Sequence, residues 1–536
     1  EILVPRRPLN PRGMFRNLGV GDASDVPARL RVWNSNNEII YDETIIVQDI
    51  PAGKYNTKSA DFPPLTIERI GNYRACMVVS ARDDIVREDD STCITFRVEG
   101  GLEGTYTVGT MYDDDDHPRN FRTIKDAMNA LYKNGLIGSV VFELTDSQYD
   151  LTTEYPDQPA WDLSSTILGA GYDPVTNRYN TITWKPSLQR SLSRSSVTVN
   201  LYPTNGKGIL FGQSLDNVNE FAVFKGAQSA SLLVKFANSQ GYINFDGGQN
   251  KSFRFVLNSP SVHGSVFYLG RGSQNISVKN CIIQNNTPTI ARNIKLPMTS
   301  YDPINGFRFQ ADTLLSGSVR SGYSAGIVNR SSLLKLEEMG YMPLDTFNNK
   351  NNVISGNEIS GFGYGIVSLG IGQLWIEGAN DYQRYHNQNN TYSNNLITDC
   401  YRAGMFVGYE ENSTISNNRI YNIGGSIDAA GLMIGGEGTR DFKGYNNIGL
   451  TISGNEISGI SSSSIAHGMR INQTMVTLPH STKSFVFFPD TDEAFKVSSN
   501  SVWGITGPVR AGIHIFTDRS TTAQGAVQYF VPKDIN

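Results

Sequence analysis

Tyr392-Ser-Asn-Asn-Leu-Ile397 and Ile415-Ser-Asn-Asn-Arg-Ile420 carry one pattern: an apolar residue, two spacers, Asn, one spacer, then Ile or Val. It returns in Ile354-Ser-Gly-Asn-Glu-Ile359, Ile452-Ser-Gly-Asn-Glu-Ile457 and Val497-Ser-Ser-Asn-Ser-Val502, and in Val278-Lys-Asn-Cys-Ile-Ile283 with Cys281 in the Asn place. The intervals between Asn357, Asn395, Asn418, Asn455 and Asn500 are 38, 23, 37 and 45 residues. The shortest suits a single coil of about 20–25 residues, and the others suit coils carrying a loop.

A second signature follows each Asn: Gly365-Ile-Val, Gly404-Met-Phe-Val, Gly431-Leu-Met-Ile, Gly468-Met-Arg-Ile and Gly512-Ile-His-Ile. Two strands per coil, stacked at the ordinary strand spacing, would put the aliphatic residues in a dry interior and line up the asparagines, whose amides then bond from coil to coil. That accounts for Asn, a poor strand residue, keeping one phase of the repeat. The fold class expected is all-β, with a right-handed parallel β-helix over residues 105–536. Val140–Leu144, Asn180–Trp184, Val197–Leu201, Tyr242–Gly247 and Gly264–Leu269 read as further strands. Apart from Gly326-Ile-Val the pattern lapses over residues 286–351, read as a large insertion in which Leu333–Gly340 suggests a short helix.

Ahead of the repeat, Phe121 to Gly135 places Ile124, Ala127, Met128, Leu131 and Tyr132 at helical spacing, with Thr123 and Asp126 to begin the helix and Gly135 to end it. A cap helix over 123–134, covering the open end of the stack, is expected. Residues 99–104 are glycine-rich and read as a hinge. Residues 1–98 hold short β-branched and aromatic runs separated by turn signals, among them Ala28–Trp33, Ile39–Tyr41 and Thr44–Val47, which indicate an antiparallel sandwich. Cys76 and Cys93 lie on two alternating runs joined by an acidic loop. If Tyr73, Ala75, Met77, Ile94, Phe96 and Val98 face the core, both cysteines face outward, either as a cross-strand disulfide or as two reduced thiols.

The first 98 residues resemble bacterial cell-adhesion-related immunoglobulin-like modules, through Phe15-Arg-Asn-Leu-Gly, Val26-Pro-Ala-Arg-Leu-Arg-Val, Ile39-Ile-Tyr-Asp, Ile50-Pro-Ala-Gly, Gly71-Asn-Tyr and Asp89-Asp-Ser-Thr. The helix, the Tyr242–Asn286 region and the repeats resemble secreted pectin-lyase-like β-helix proteins exported by the type IX route. These resemblances imply a spacer or docking module joined to an extracellular or bacterial cell-surface solenoid. Because the chain begins at Glu1 and its opening strand looks short, a longer parent protein is also expected.

A net charge of -5 and a pI near 5.8 give no basic footprint for nucleic acid, and no apolar run is long enough to span a membrane. The cysteines lack zinc or redox spacing. Asp113, Asp114, Asp115 and Asp116 could hold calcium or form a solvated turn, and no other cofactor is expected. No catalytic residue is assigned, since the Gly-Asp-Asp and Gly-His-Gly signatures of polygalacturonases are missing and Ala466-His-Gly468 is the nearest fragment. Met433, Arg470 and His514 fall in one outward column, read either as a binding strip or as solvated side chains. Trp375, Tyr382, Tyr385, Tyr401 and Tyr409 could stack on sugars or staple turns. The leading expectation is a non-catalytic structural or adhesive scaffold that meets other surface units, itself or a glycan; the alternative is a polysaccharide lyase or glycoside hydrolase.

Overall fold

The computed structural model describes the chain apart from residues 1, 4–7, 54–55, 82–89, 99, 113–116, 156–160, 164–166, 174–175, 203–206, 212–240, 259–263, 271, 287–298, 303–305, 310–323, 332–334, 337–339, 342–347, 371, 377–380, 426–427, 436–446, 473–495, 517–519, 522–526 and 529–536. Its contacts divide it into two units. The first comprises Glu1–Thr105, Asp126–Val141 and Ile167–Ile182; the second comprises Tyr106–Lys125, Phe142–Thr166 and Thr183–Asn536.

In the first unit a five-stranded sheet runs in the order Ile2–Leu3, Ser91–Val98, Gly71–Val79, Val26–Trp33, Ile39–Val47. The two runs read separately at Ile39 and Thr44 are one strand, paired antiparallel to Val26–Trp33. Arg12–Phe15 pairs with Lys58–Asp61, and Pro8–Leu9 with Leu65–Thr66. Phe15, Val26, Ala28, Val32, Tyr41, Val47, Tyr73 and Val98 form part of its buried core. Cys76 lies directly opposite Cys93 and is bonded to it. Of the neighbours expected to face the core, Tyr73 stacks on Phe96 while Ile94 is 63% exposed, so the inner face narrows towards one end of this strand pair.

The helix spans Ile124–Asn134, buries Ile124, Ala127, Met128 and Leu131, leaves Tyr132 on the solvent side, and ends where Gly135 takes φ +63°. The adjoining strand begins at Leu102, inside the stretch read as a hinge.

The second unit is a stack of coils. Each coil contributes one strand to each of three sheets, for example Val353–Ser355, Glu358–Ser360 and Tyr364–Leu369, then Thr391–Ser393, Leu396–Cys400 and Ala403–Gly408. All coil-to-coil pairings here are parallel and in register. Three apolar rows fill the interior. Val278, Ile354, Tyr392, Ile415 and Ile452 come from the first sheet; Ile283, Ile359, Ile397, Ile420 and Ile457 from the second; Phe267, Ile327, Ile366, Met405, Leu432 and Met469 from the third. Each fully buried aliphatic side chain contributes roughly 1.5–3 kcal/mol relative to exposure. Within 286–351, Ser324–Arg330 is a strand of the third sheet, and Thr299–Asp302 pairs with Gly306–Phe309. Lys335–Leu336 pairs antiparallel with Gly340–Tyr341, so the helix suggested there is replaced by extended chain at these residues; Gly340, a poor helix former, sits in the pairing strand.

The glycine near the start of four successive third-sheet strands has a packing cause. A Cβ at Gly326, Gly365, Gly404 or Gly431 would come within 2.4 Å of a Cγ2 of Ile359, Ile397, Ile420 or Ile457. The second and third sheets meet there with no room for a methyl group. Gly404→Ala is therefore expected to cost about 1–3 kcal/mol, read as a lower denaturant midpoint. Wild-type stability in that variant would show that this column does not set the spacing.

Candidate functional site

The five repeat asparagines stand in one unbroken interior row. Asn357 donates its Nδ2 hydrogen to Oδ1 of Asn395 at 3.1 Å, Asn395 to Asn418 at 3.0 Å, Asn418 to Asn455 at 2.9 Å and Asn455 to Asn500 at 2.8 Å. The same Oδ1 atoms accept the backbone N–H of the preceding asparagine, and each Nδ2 also bonds a carbonyl, as Asn418 does with Tyr392 O at 2.9 Å. The Cys281 N–H donates to Oδ1 of Asn357, so the row continues although the thiol stands in the amide's place. The residue before each position of this row has positive φ, at Asn280, Gly356, Asn394, Asn417, Gly454 and Ser499, which is why Gly or Asn stands at all but the last.

Two further polar columns were not foreseen. Ser273, Asn349, Asn387, Glu410 and Asn447 form one, linked by bonds such as Ser273 N to Asn349 Oδ1 and Glu410 N to Asn447 Oδ1. Asn352, Asn390 and Ser413 form the other. Their signal lies in the sequence: Asn349, Asn387, Glu410 and Asn447 hold the same place ahead of Ile354, Tyr392, Ile415 and Ile452.

Glu410 puts a carboxyl into a column otherwise made of amides and a hydroxyl. It is fully buried, and it accepts from Ser413 Oγ at 2.5 Å, Asn390 Nδ2 at 3.0 Å, Tyr392 OH at 2.9 Å and Ser368 Oγ. Asn329 Nδ2 reaches the same tyrosine hydroxyl at 2.7 Å. Burial pushes the carboxyl above its ordinary value, and the hydroxyl and amide donors pull against that shift without overcoming it. Burial, then the charge of Glu410, likewise pushes Tyr392 up.

Outside the coil, the third sheet places Tyr268, Val328, Val367, Phe406, Met433, Arg470 and His514 in one column. Its first five members belong to a second buried apolar cluster, against which Leu369 and Tyr409 pack; Tyr409 also meets the His386 ring edge to face. Arg470 is 2% exposed, so the reading of it as a solvated side chain does not hold: its place in the column continues a covered row. His514 is exposed, and its Nδ1 lies 3.1 Å from Nε2 of His467, a residue the sequence did not single out as a site. Burial first, then the charge of Arg470 and the neighbouring imidazole, pushes His467 down to about 4; burial and Arg470 lower His514. Both rings are therefore neutral near pH 7.

Trp375 and Tyr382 are cross-strand partners in a hairpin of Gly372–Ile376 with Asp381–Tyr385. In register the structure sets Arg470 beside His514 and Trp375 opposite Tyr382, and it packs Tyr409 against the apolar cluster of the outer column. Asp113, Asp114, Asp115 and Asp116 lie outside the described residues. Among the described residues no group of three or more His, Cys, Asp or Glu could hold a metal ion, and no helix is long and apolar enough to cross a membrane.

A coil stack with three parallel sheets is a parallel β-helix. No family model matches the chain, and no curated protein matches it. Solved structures similar in trace include the family 28 exopolygalacturonase of Yersinia enterocolitica, with 10% identity, a TM-score of 0.25, and 96% of this chain and 99% of that chain covered. They also include the A-module of the Azotobacter vinelandii mannuronan C-5 epimerase AlgE4, with 10% identity, a TM-score of 0.23, and 74% and 94% covered. At such scores these similarities assign neither activity nor substrate.

Two substitutions test the interior. Asn418→Ala strips partners from Asn395 and from the Tyr392 carbonyl, and each buried group left unpaired costs about 1–3 kcal/mol. A large fall in thermal midpoint is expected, and a neutral result would deny the ladder its energetic role. For Glu410 the sign follows from a raised folded-state value: the folded chain holds the proton more tightly, so the stabilisation is complete below the ordinary carboxyl value of 4.5 and is lost as pH rises through the raised one. Glu410→Gln should remove this decline. Parallel pH–stability curves for the two proteins would contradict the assignment.

Proposed function

We propose that this chain is a non-catalytic extracellular or cell-surface scaffold with a glycan-binding exterior, in which the β-helix supplies a stiff body. The observation that carries this reading is the continuous amide row from Asn357 to Asn500, which ties successive coils together through side chains as well as backbone. Its consequence is a body whose surface positions stay fixed relative to one another, as a presenting scaffold requires. The Cys76–Cys93 bond supports an oxidising location. The immunoglobulin-like reading of the first unit as a spacer, the helix as an end cap, and export by the type IX route belong to the same proposal.

One observation favours a second reading, a polysaccharide lyase of the β-helix type. His467 and His514 are neutral imidazoles within 3.1 Å of each other, beside Arg470 in register. A neutral imidazole is a candidate base for removing a proton from a uronate ring, and a guanidinium is a candidate partner for its carboxylate.

A panel of acidic and neutral polysaccharides separates the two readings. The scaffold reading expects retention of the chain by at least one polymer with no unsaturated products and no shortening of the polymer. Release of unsaturated uronates, lost in His514→Ala, would overturn it in favour of the lyase.

A further inference from the structure

The second sheet sends Ile359, Ile397, Ile420, Ile457 and Val502 into the interior as one row. Alternate residues of a strand change face, so the next residues along, Ser360, Thr398, Tyr421, Ser458 and Trp503, stand in one outward column. Among the described residues of the second unit, Tyr421 and Trp503 are the exposed aromatic side chains, at 38% and 53%. Ser458 lies between them, so the two rings are two coils apart, about 9.6 Å at the ordinary strand spacing.

The surroundings keep this column open. Gly459 and Gly504 follow Ser458 and Trp503 in the chain and add no side chain beside them. On the other flank Arg419 pairs with Glu456 at 3.2 Å, and one coil earlier Asp399 accepts from Asn422 Nδ2. These bordering groups amount to one guanidinium and two carboxylates, a balance that disfavours a polyanion and suits an uncharged ligand. The ladder residues Asn418, Asn455 and Asn500 bond the same three coils to one another, so the interval between the rings is fixed before any ligand arrives.

Two exposed rings separated by one open position match the build of a β-1,4-linked polysaccharide. Successive sugars in such a chain are flipped, so every second pyranose offers the same C–H face, and that repeat is close to two strand spacings. We propose that Tyr421 and Trp503 bind a neutral β-1,4-linked polysaccharide, stacking on sugars two units apart while the Ser458 hydroxyl faces the unit between. This inference rests on the glycan-binding part of the scaffold reading and gives it a place and a ligand class.

Affinity electrophoresis of the full chain through glucomannan, dextran and polygalacturonate tests it, with the thermal midpoint of each variant reporting the fold. Glucomannan, which is neutral and β-1,4-linked, should retard the wild type, and the other two polymers should not. The retardation should persist as salt rises, because no charge pairing is there to be screened. Trp503→Ala and Tyr421→Ala should each weaken it roughly tenfold, the size of one lost ring contact, at an unchanged midpoint. Trp503→Phe, which keeps a ring, should retain most of it, and Tyr179→Ala, which removes an exposed ring of the first unit, should change nothing. Cellotriose, long enough to reach both rings, should compete where cellobiose does not. Undiminished retention in both alanine variants, or competition by cellotriose no stronger than by cellobiose, would overturn this site while leaving glycan binding elsewhere on the scaffold intact. Retention that weakens only together with the midpoint would overturn it as well, assigning the rings a packing role. A wild type held by dextran or polygalacturonate but not by glucomannan would overturn the site alone; one held by no polymer would overturn both the site and the glycan-binding reading.

Discussion

The structure of the second unit depends on one hydrogen bond made repeatedly, from the side-chain amide of an asparagine in one coil to the amide oxygen of its counterpart in the next. Its net worth per bond is modest, about 1 kcal/mol, but an unmade partner in a dry interior is expensive, so the row is strongly disfavoured from having gaps. The loops between its members differ in length, with intervals from 23 to 45 residues, so loop length cannot set the register. Apolar rows alone would tolerate a slip by two residues, because strand side chains repeat with that period. One amide per coil in this row does not tolerate it.

The same constraint explains the glycines and the positive-φ asparagines. A coil that must return its ladder amide to one axis turns sharply just before it, and Gly356, Asn394, Asn417 and Gly454 supply that left-handed backbone. It then brings its third strand so close to the second that Gly365, Gly404 and Gly431 leave no space for a Cβ. Turn, ladder and close approach are three local expressions of one repeat, which is why several sequence signals agree.

That agreement made the coil stack legible from residues alone. The Asn of each repeat lies within a few positions of its aliphatic partners, so a short window contains the evidence. The columns of Asn349, Asn387 and Asn352, Asn390 were hidden because they sit in asparagine-rich corners such as Asn348-Asn-Lys-Asn-Asn, where the same residue type also serves as a turn former. His467 escaped notice as a site because its neighbour His514 is adjacent only in the register of two coils separated by a long connection. Trp375 and Tyr382 were visible as aromatic residues, yet their opposition depends on a hairpin register that composition does not encode.

Glu410 adds an asymmetry that the amide rows lack. Asparagines are interchangeable between coils, because each presents the same donor and acceptor to its neighbours above and below. A carboxyl needs donors on every side, and Tyr392, Ser368, Ser413 and Asn390 provide them. Moving that coil against its neighbours would part the buried acid from these donors, at a desolvation cost of several kcal/mol. The acid is thus a costly group whose value lies in excluding alternatives: it marks one level of the stack.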